Sequence, residues 1–112
     1  PTGAEEVLMD TISLQNFLVR DPSETYVLTV KGDSMIDAGI REGDMVIAER
    51  SNSPKEGDVV IAELDGGWTM KYFRRKNGKT FLEPANKNLK PMYPKEDLKV
   101  GAIVKAVIRK YR

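Results

Sequence analysis

Short apolar runs punctuated by glycine and proline dominate the chain from residue 25 onward. Thr25-Tyr26-Val27-Leu28-Thr29-Val30-Lys31 is β-branched and aromatic and has the length of a strand, and Gly32-Asp33 breaks it. Ser34 to Ile40 reads as one helical turn, and Glu42-Gly43-Asp44 leads into a second strand, Met45 to Arg50. The loop from Ser51 to Gly57 is polar, and Pro54 bars strand continuation there. Asp58 to Leu64 is a third strand. Asp65-Gly66-Gly67 marks a hairpin, because glycine supplies the positive φ that a tight turn needs, and Trp68 to Arg75 is the return strand. Lys76-Asn77-Gly78-Lys79 is a second hairpin turn, answered by Thr80-Phe81-Leu82-Glu83. Pro84 to Asp97, interrupted by Pro91 and Pro94, runs irregularly over the surface, and Val100 to Arg109 is the last strand.

Ahead of these strands, residues 1–24 read as an arm, with 25–112 as the domain proper. Within the arm, a short helix starts between Asp10 and Val19, capped by Asp10 or Thr11, and the Asp21-Pro22-Ser23 turn ends it. The fold class is therefore mainly β: a compact domain of short, twisted, mostly antiparallel strands with one or two short helical turns. The unbroken run Val59-Val60-Ile61-Ala62 predicts a strand covered on both faces. The long apolar terminal strand predicts an open sheet edge along Val100 to Tyr111, which a second copy covers in a symmetric homodimer.

Composition narrows the chemistry. At 112 residues, 40% of them apolar, the chain suits one domain, and no run approaches the ~20 apolar residues of a membrane span. The opening Pro1-Thr2-Gly3-Ala4-Glu5-Glu6 lacks the basic and apolar parts of a signal peptide, so a cytoplasmic location without membrane contact is expected. Cysteine is absent, which removes disulfides, thiolate metal sites and thiol nucleophiles. Histidine is absent too, so Ser-His-Asp and Cys-His catalysis are excluded and any base must be Lys, Asp, Glu or Tyr. A net charge of +1 gives no strong phosphate-binding field. No cofactor is expected.

Two segments can carry chemistry. In Gly32-Asp33-Ser34-Met35 a tight turn past a strand end can present the Ser34 hydroxyl with neighbouring N–H groups converging on one point, as an oxyanion hole requires. The same string also suits a turn whose serine caps the following helix. Lys71 lies mid-strand between Met70 and Tyr72, on the face of Thr69 and Phe73. Burial there disfavours the ammonium and lowers its pKa, leaving an amine able to take a proton from a hydroxyl, with Thr69 to orient it. A solvent-facing lysine whose stem covers apolar surface is the alternative. The basic group Lys71, Arg74, Arg75, Lys76 and Lys79 reads as a solvated hairpin tip, and Asp37, Asp44, Asp58 and Asp65 are spaced like turn residues, so no metal site is expected.

In combination these segments resemble the LexA/UmuD family of self-cleaving SOS-response proteins. Gly32-Asp33-Ser34-Met35 with Gly39-Ile40 and Gly43-Asp44 matches the G-[DM]-S-M-x-x-x-G-I-x-x-G-D pattern. Gly57-Asp58 before a strand, Thr69-Met70-Lys71, Leu82-Glu83-Pro84-Ala85-Asn86 and Gly101-Ala102-Ile103-Val104 follow in the family's order. The resemblance implies a LexA/signal-peptidase-like β fold and a serine endopeptidase acting on its own chain, with Ser34 as nucleophile and Lys71 as general base. It also implies Thr69 as support for the lysine and the backbone N–H groups of Asp33 and Ser34 as oxyanion donors.

In the family the cut falls at an Ala-Gly or Cys-Gly bond just upstream of the domain. This sequence has neither pair, so Pro1 is expected to begin just past the cut, as in a post-cleavage fragment. The implied partners are a second copy of the chain, a RecA filament on single-stranded DNA as trigger, and DNA through an absent N-terminal domain. The motifs resemble both branches of the family, and the first reading is the dimerising C-terminal domain of a LexA-like repressor. A UmuD′-like subunit of an error-prone DNA polymerase is the alternative, and a non-catalytic β-fold binding module a more distant one.

Overall fold

The computed structural model describes residues 11–112. Six strands, β1 (Thr25–Thr29), β2 (Met45–Arg50), β3 (Val59–Leu64), β4 (Gly67–Lys76), β5 (Lys79–Glu83) and β6 (Leu98–Ile108), form one sheet in the order β1-β2-β6-β3-β4-β5. Every pairing is antiparallel. Both hairpins turn where glycine follows Asp or Asn. Asp65 and Gly66 have φ of 48° and 92°, and Asn77 and Gly78 have 53° and 78°. Positive φ at both central positions matches the twist of the flanking strands. The first turn takes only Asp65 and Gly66, so β4 begins at Gly67, one residue before the expected Trp68.

The terminal strand corrects one expectation. β6 is no edge: its first half pairs with β3, from Leu98 opposite Leu64 to Ile103 opposite Val60, and its second half with β2, from Ala102 opposite Arg50 to Ile108 opposite Met45. A long apolar strand reads alike at an edge or at a centre, and the order of strands was not in the pattern. Within β6, 98–100 have β3 alone beside them, 104–108 have β2 alone, and only Ala102 and Ile103 are paired on both sides. The edges are β1 and β5.

Two apolar clusters fill the interior. Val30, Met35, Ile40, Val46 and Ala85 form one, directly under the turn that carries Ser34. Val60, Ala62, Phe73 and Leu82 form the other. The Val59–Ala62 run alternates: Val60 and Ala62 are fully buried, whereas Val59 and Ile61 are half-buried, so cover on both faces is uneven. In the arm, α1 (Leu14–Leu18) is capped by Ser13, whose Oγ accepts the Asn16 N–H at 3.3 Å. The cap is therefore Ser13 and not Thr11. Asp10, the rest of the expected arm from Pro1, and the expected position of the cut lie outside the described residues.

Candidate active site

The Ser34 turn is built around one buried methionine. Gly32, at φ 80°, turns the chain out of β1, and its N–H donates to the Glu42 carboxylate at 2.7 Å. Met35 is 1% exposed, and its sulfur accepts the Ala85 N–H at 3.4 Å. Burying Met35 leaves its neighbour Ser34 at the surface of the core, half-exposed. A single 3-10 turn, Ile36–Ala38, follows and ends at Gly39 with φ 78°. Among the described residues, no protein acceptor takes the N–H of Asp33 or of Ser34.

Lys71 sits in β4 opposite Val60, a fully buried member of the second cluster. It is 8% exposed, and no carboxylate pairs with it among the described residues. Its Nζ donates to Thr69 Oγ1, the residue two positions back on the same strand face. Burial alone pushes its pKa below the ordinary 10.5. Ser34, Lys71 and Thr69 all line one cleft of about 510 Å³, together with Leu28 to Val30, Met35, Ile61 and Trp68. The hydroxyl of Ser34 makes no direct hydrogen bond to the Lys71 amine among the described residues.

The other sequence candidates are dispersed. The basic group does not act as one patch: Lys71 is buried, Arg74 bonds Glu56 at 2.9 Å and Glu83 at 2.8 Å, and Arg75 lies over the Phe73 ring at 5.5 Å. Arg75, Lys76 and Lys79 are exposed and fit the expected solvated tip; Lys71 and Arg74 do not. Asp37, Asp44, Asp58 and Asp65 each accept backbone N–H groups. Sequence reasoning missed Arg109, whose guanidinium grips the buried Asp44 with two bonds of 2.7 Å and the Gly39 carbonyl with a third. Arg109 holds the Asp44 carboxyl down at about 2, ahead of the bond from the Arg41 N–H. No local pattern marks an arginine that pairs with a residue 65 positions away.

Comparison with known proteins bears on this arrangement. Residues 1–107 match the Peptidase S24-like family. The chain belongs to that family. It is 38% identical over 111 residues to the LexA repressor of Clostridium tetani, which covers 99% of this chain and 55% of the relative. The LexA repressor of Streptomyces clavuligerus is 43% identical over 110 residues, covering 98% of this chain and 45% of the relative. That of Caldicellulosiruptor saccharolyticus is 40% identical, with 98% and 54% covered. The chain thus spans about half the length of these LexA repressors. Family membership supports serine-peptidase chemistry in general terms, and the mostly antiparallel β fold agrees with the expected class. No helix among the described residues is long and apolar enough to cross a membrane.

Proposed function

We propose that this chain is the C-terminal, self-cleaving domain of a LexA-like repressor, with Ser34 as nucleophile and Lys71 as general base. The observation that carries the reading is a lysine almost wholly removed from water, without an acid partner among the described residues, sharing a cleft with a serine on a turn. A neutral Lys71 takes the Ser34 proton as Oγ attacks a peptide carbonyl. The N–H groups of Asp33 and Ser34 receive the charge that develops on oxygen, and the ammonium then protonates the leaving amine. Water releases the acyl group, with Lys71 as base again. Thr69 keeps the amine aimed.

β1 is an edge strand whose last residues line the cleft, so an extended segment of the same chain can add there as a strand. Tethering supplies the concentration that a weak dyad needs. The names of the relatives favour the repressor branch over a polymerase subunit. On this reading the wider protein binds DNA through another domain, and a RecA filament triggers the cut.

The test appends an upstream loop containing an Ala-Gly bond and follows its cutting by intact mass across alkaline pH. Cutting is expected to rise with pH, with a midpoint below 10.5, as Lys71 loses its proton. Ser34→Ala and Lys71→Ala are each expected to fall below about one-thousandth of the parent rate. Cutting that persists in either variant rejects the dyad.

A further inference from the structure

Asn86 is the last residue of the Leu82-Glu83-Pro84-Ala85-Asn86 element, to which neither nucleophile nor base belongs. Its amide reaches across 53 positions of sequence, and Nδ2 donates to the Asp33 carbonyl at 3.0 Å. The same carbonyl accepts the Ile36 N–H at 3.1 Å, so both its lone pairs are engaged. Asn86 is itself held, because its Oδ1 accepts the Asn88 N–H at 2.9 Å. That bond also sets which way the amide faces. Its neighbours grip the turn too: the Ala85 carbonyl accepts the Asp37 N–H at 2.7 Å, and the Lys87 N–H donates to the Asp37 carboxylate at 3.0 Å.

The Asp33 carbonyl and the Ser34 N–H belong to one peptide unit. That peptide bond is trans, so the two groups point in opposite directions across a rigid plane. Anchoring the carbonyl on Asn86 therefore aims the Ser34 N–H away from that anchor, and no protein acceptor takes it among the described residues. We propose that Asn86 is a positioning residue for the oxyanion site, fixing the Asp33–Ser34 peptide so that the Ser34 N–H stands ready for charge developing on a carbonyl oxygen. The proposal rests on Ser34 and Lys71 being the dyad. It also gives a physical reason for asparagine: one side chain must donate to a carbonyl and accept from an N–H, which ionised aspartate cannot do.

An uncharged alkyl fluorophosphonate tests both levels, because its phosphoryl oxygen occupies the oxyanion position. Ser34 Oγ bonds to phosphorus, the P–F bond breaks, fluoride leaves, and the hydroxyl proton passes to the Lys71 amine. Labelling rate is read by intact mass from neutral to alkaline pH in the parent chain, Asn86→Ala and Asn86→Asp, with thermal melting alongside. Asn86→Asp keeps the shape and the bond from Asn88, so it decides the matter should Asn86→Ala fail to fold. The plateau rate is expected to fall about 10-fold or more in each folded variant, while the pH midpoint, set by Lys71, stays where it is. A plateau equal to the parent's in Asn86→Asp, or a loss accompanied by a moved midpoint, overturns the role of Asn86 and leaves the dyad standing. A parent chain that takes no label at Ser34 overturns the dyad, and the proposal with it.

Discussion

Lys71 carries its charge where charge is costly, and its one polar partner among the described residues is a threonine that offers no countercharge. The folded state holds its proton more weakly than the unfolded chain, in which the lysine titrates near 10.5. Below the folded pKa both states are protonated, and the folded state bears the full cost of a buried ammonium. As pH rises from the folded pKa towards 10.5, the folded state sheds its proton first and that cost is relieved. Lys71→Met is therefore expected to melt a few degrees above the parent at neutral pH, on the order of 1 kcal/mol, while losing all cutting. The gap should narrow as pH approaches 10.5. Melting curves of the two proteins at matched pH check this, and a variant less stable than the parent at neutral pH refutes it. Gain of stability on loss of function is the signature expected of a residue kept for chemistry.

At the scale of elements, β6 is an 11-residue strand that bends twice. Ile47 faces Ala106 while Ala48 faces Val104, so Lys105 is extra; Ile61 faces Ala102 while Ala62 faces Val100, so Gly101 is extra. Such bulges bend a strand, and here they let one strand serve two neighbours in succession. Gly101 is closely approached: a Cβ there would stand 3.0 Å and 3.1 Å from two ring carbons of Trp68, so the ring would have to move. Trp68 lines the cleft and is the single tryptophan, so it reports on the bulge directly. Gly101→Val is expected to push the ring outward, move its emission to longer wavelength, increase its quenching by acrylamide, and cost about 1–3 kcal/mol. Unchanged emission would mean that the ring does not rest on Gly101. The β3–β4 turn has a similar reach, since the Asp65 carboxylate takes the N–H groups of Lys95, Glu96 and Asp97 and fixes the entry to β6. Those bonds, led by the one from Lys95, hold the Asp65 pKa below its usual value.

For the whole molecule, the central place of β6 changes where a second copy can add. Within β6 only Ala102 and Ile103 are paired on both sides, and 104–108 lie beyond β3 with β2 alone beside them, near the exposed Val107 and Tyr111. A symmetric dimer through this shorter stretch is expected, with sedimentation at tens of micromolar as the measurement and Val107→Lys expected to yield monomer. A parent chain that is wholly monomeric at that concentration counts against it. Arg109 lies in the same stretch and clamps Asp44 and the Gly39 carbonyl, so this end of the molecule is physically continuous with the turn that follows Ser34.

Local chemistry in the sequence determined the strands, both hairpin turns and the serine and lysine candidates, because alternation, Asn-Gly and Asp-Gly turns and a lysine among apolar neighbours are properties of adjacent residues. The absence of histidine settled which kind of base to look for. Tertiary structure alone decided the order of the strands, and with it the burial of Lys71 opposite Val60, the gathering of Ser34 and Lys71 into one cleft, and the central position of β6. It also decided the bonds from Asn86 to Asp33 and from Arg109 to Asp44, which join residues 53 and 65 positions apart. Those contacts depend on how a sheet is threaded, and threading is fixed by the packing of distant faces and leaves no periodic mark on the chain.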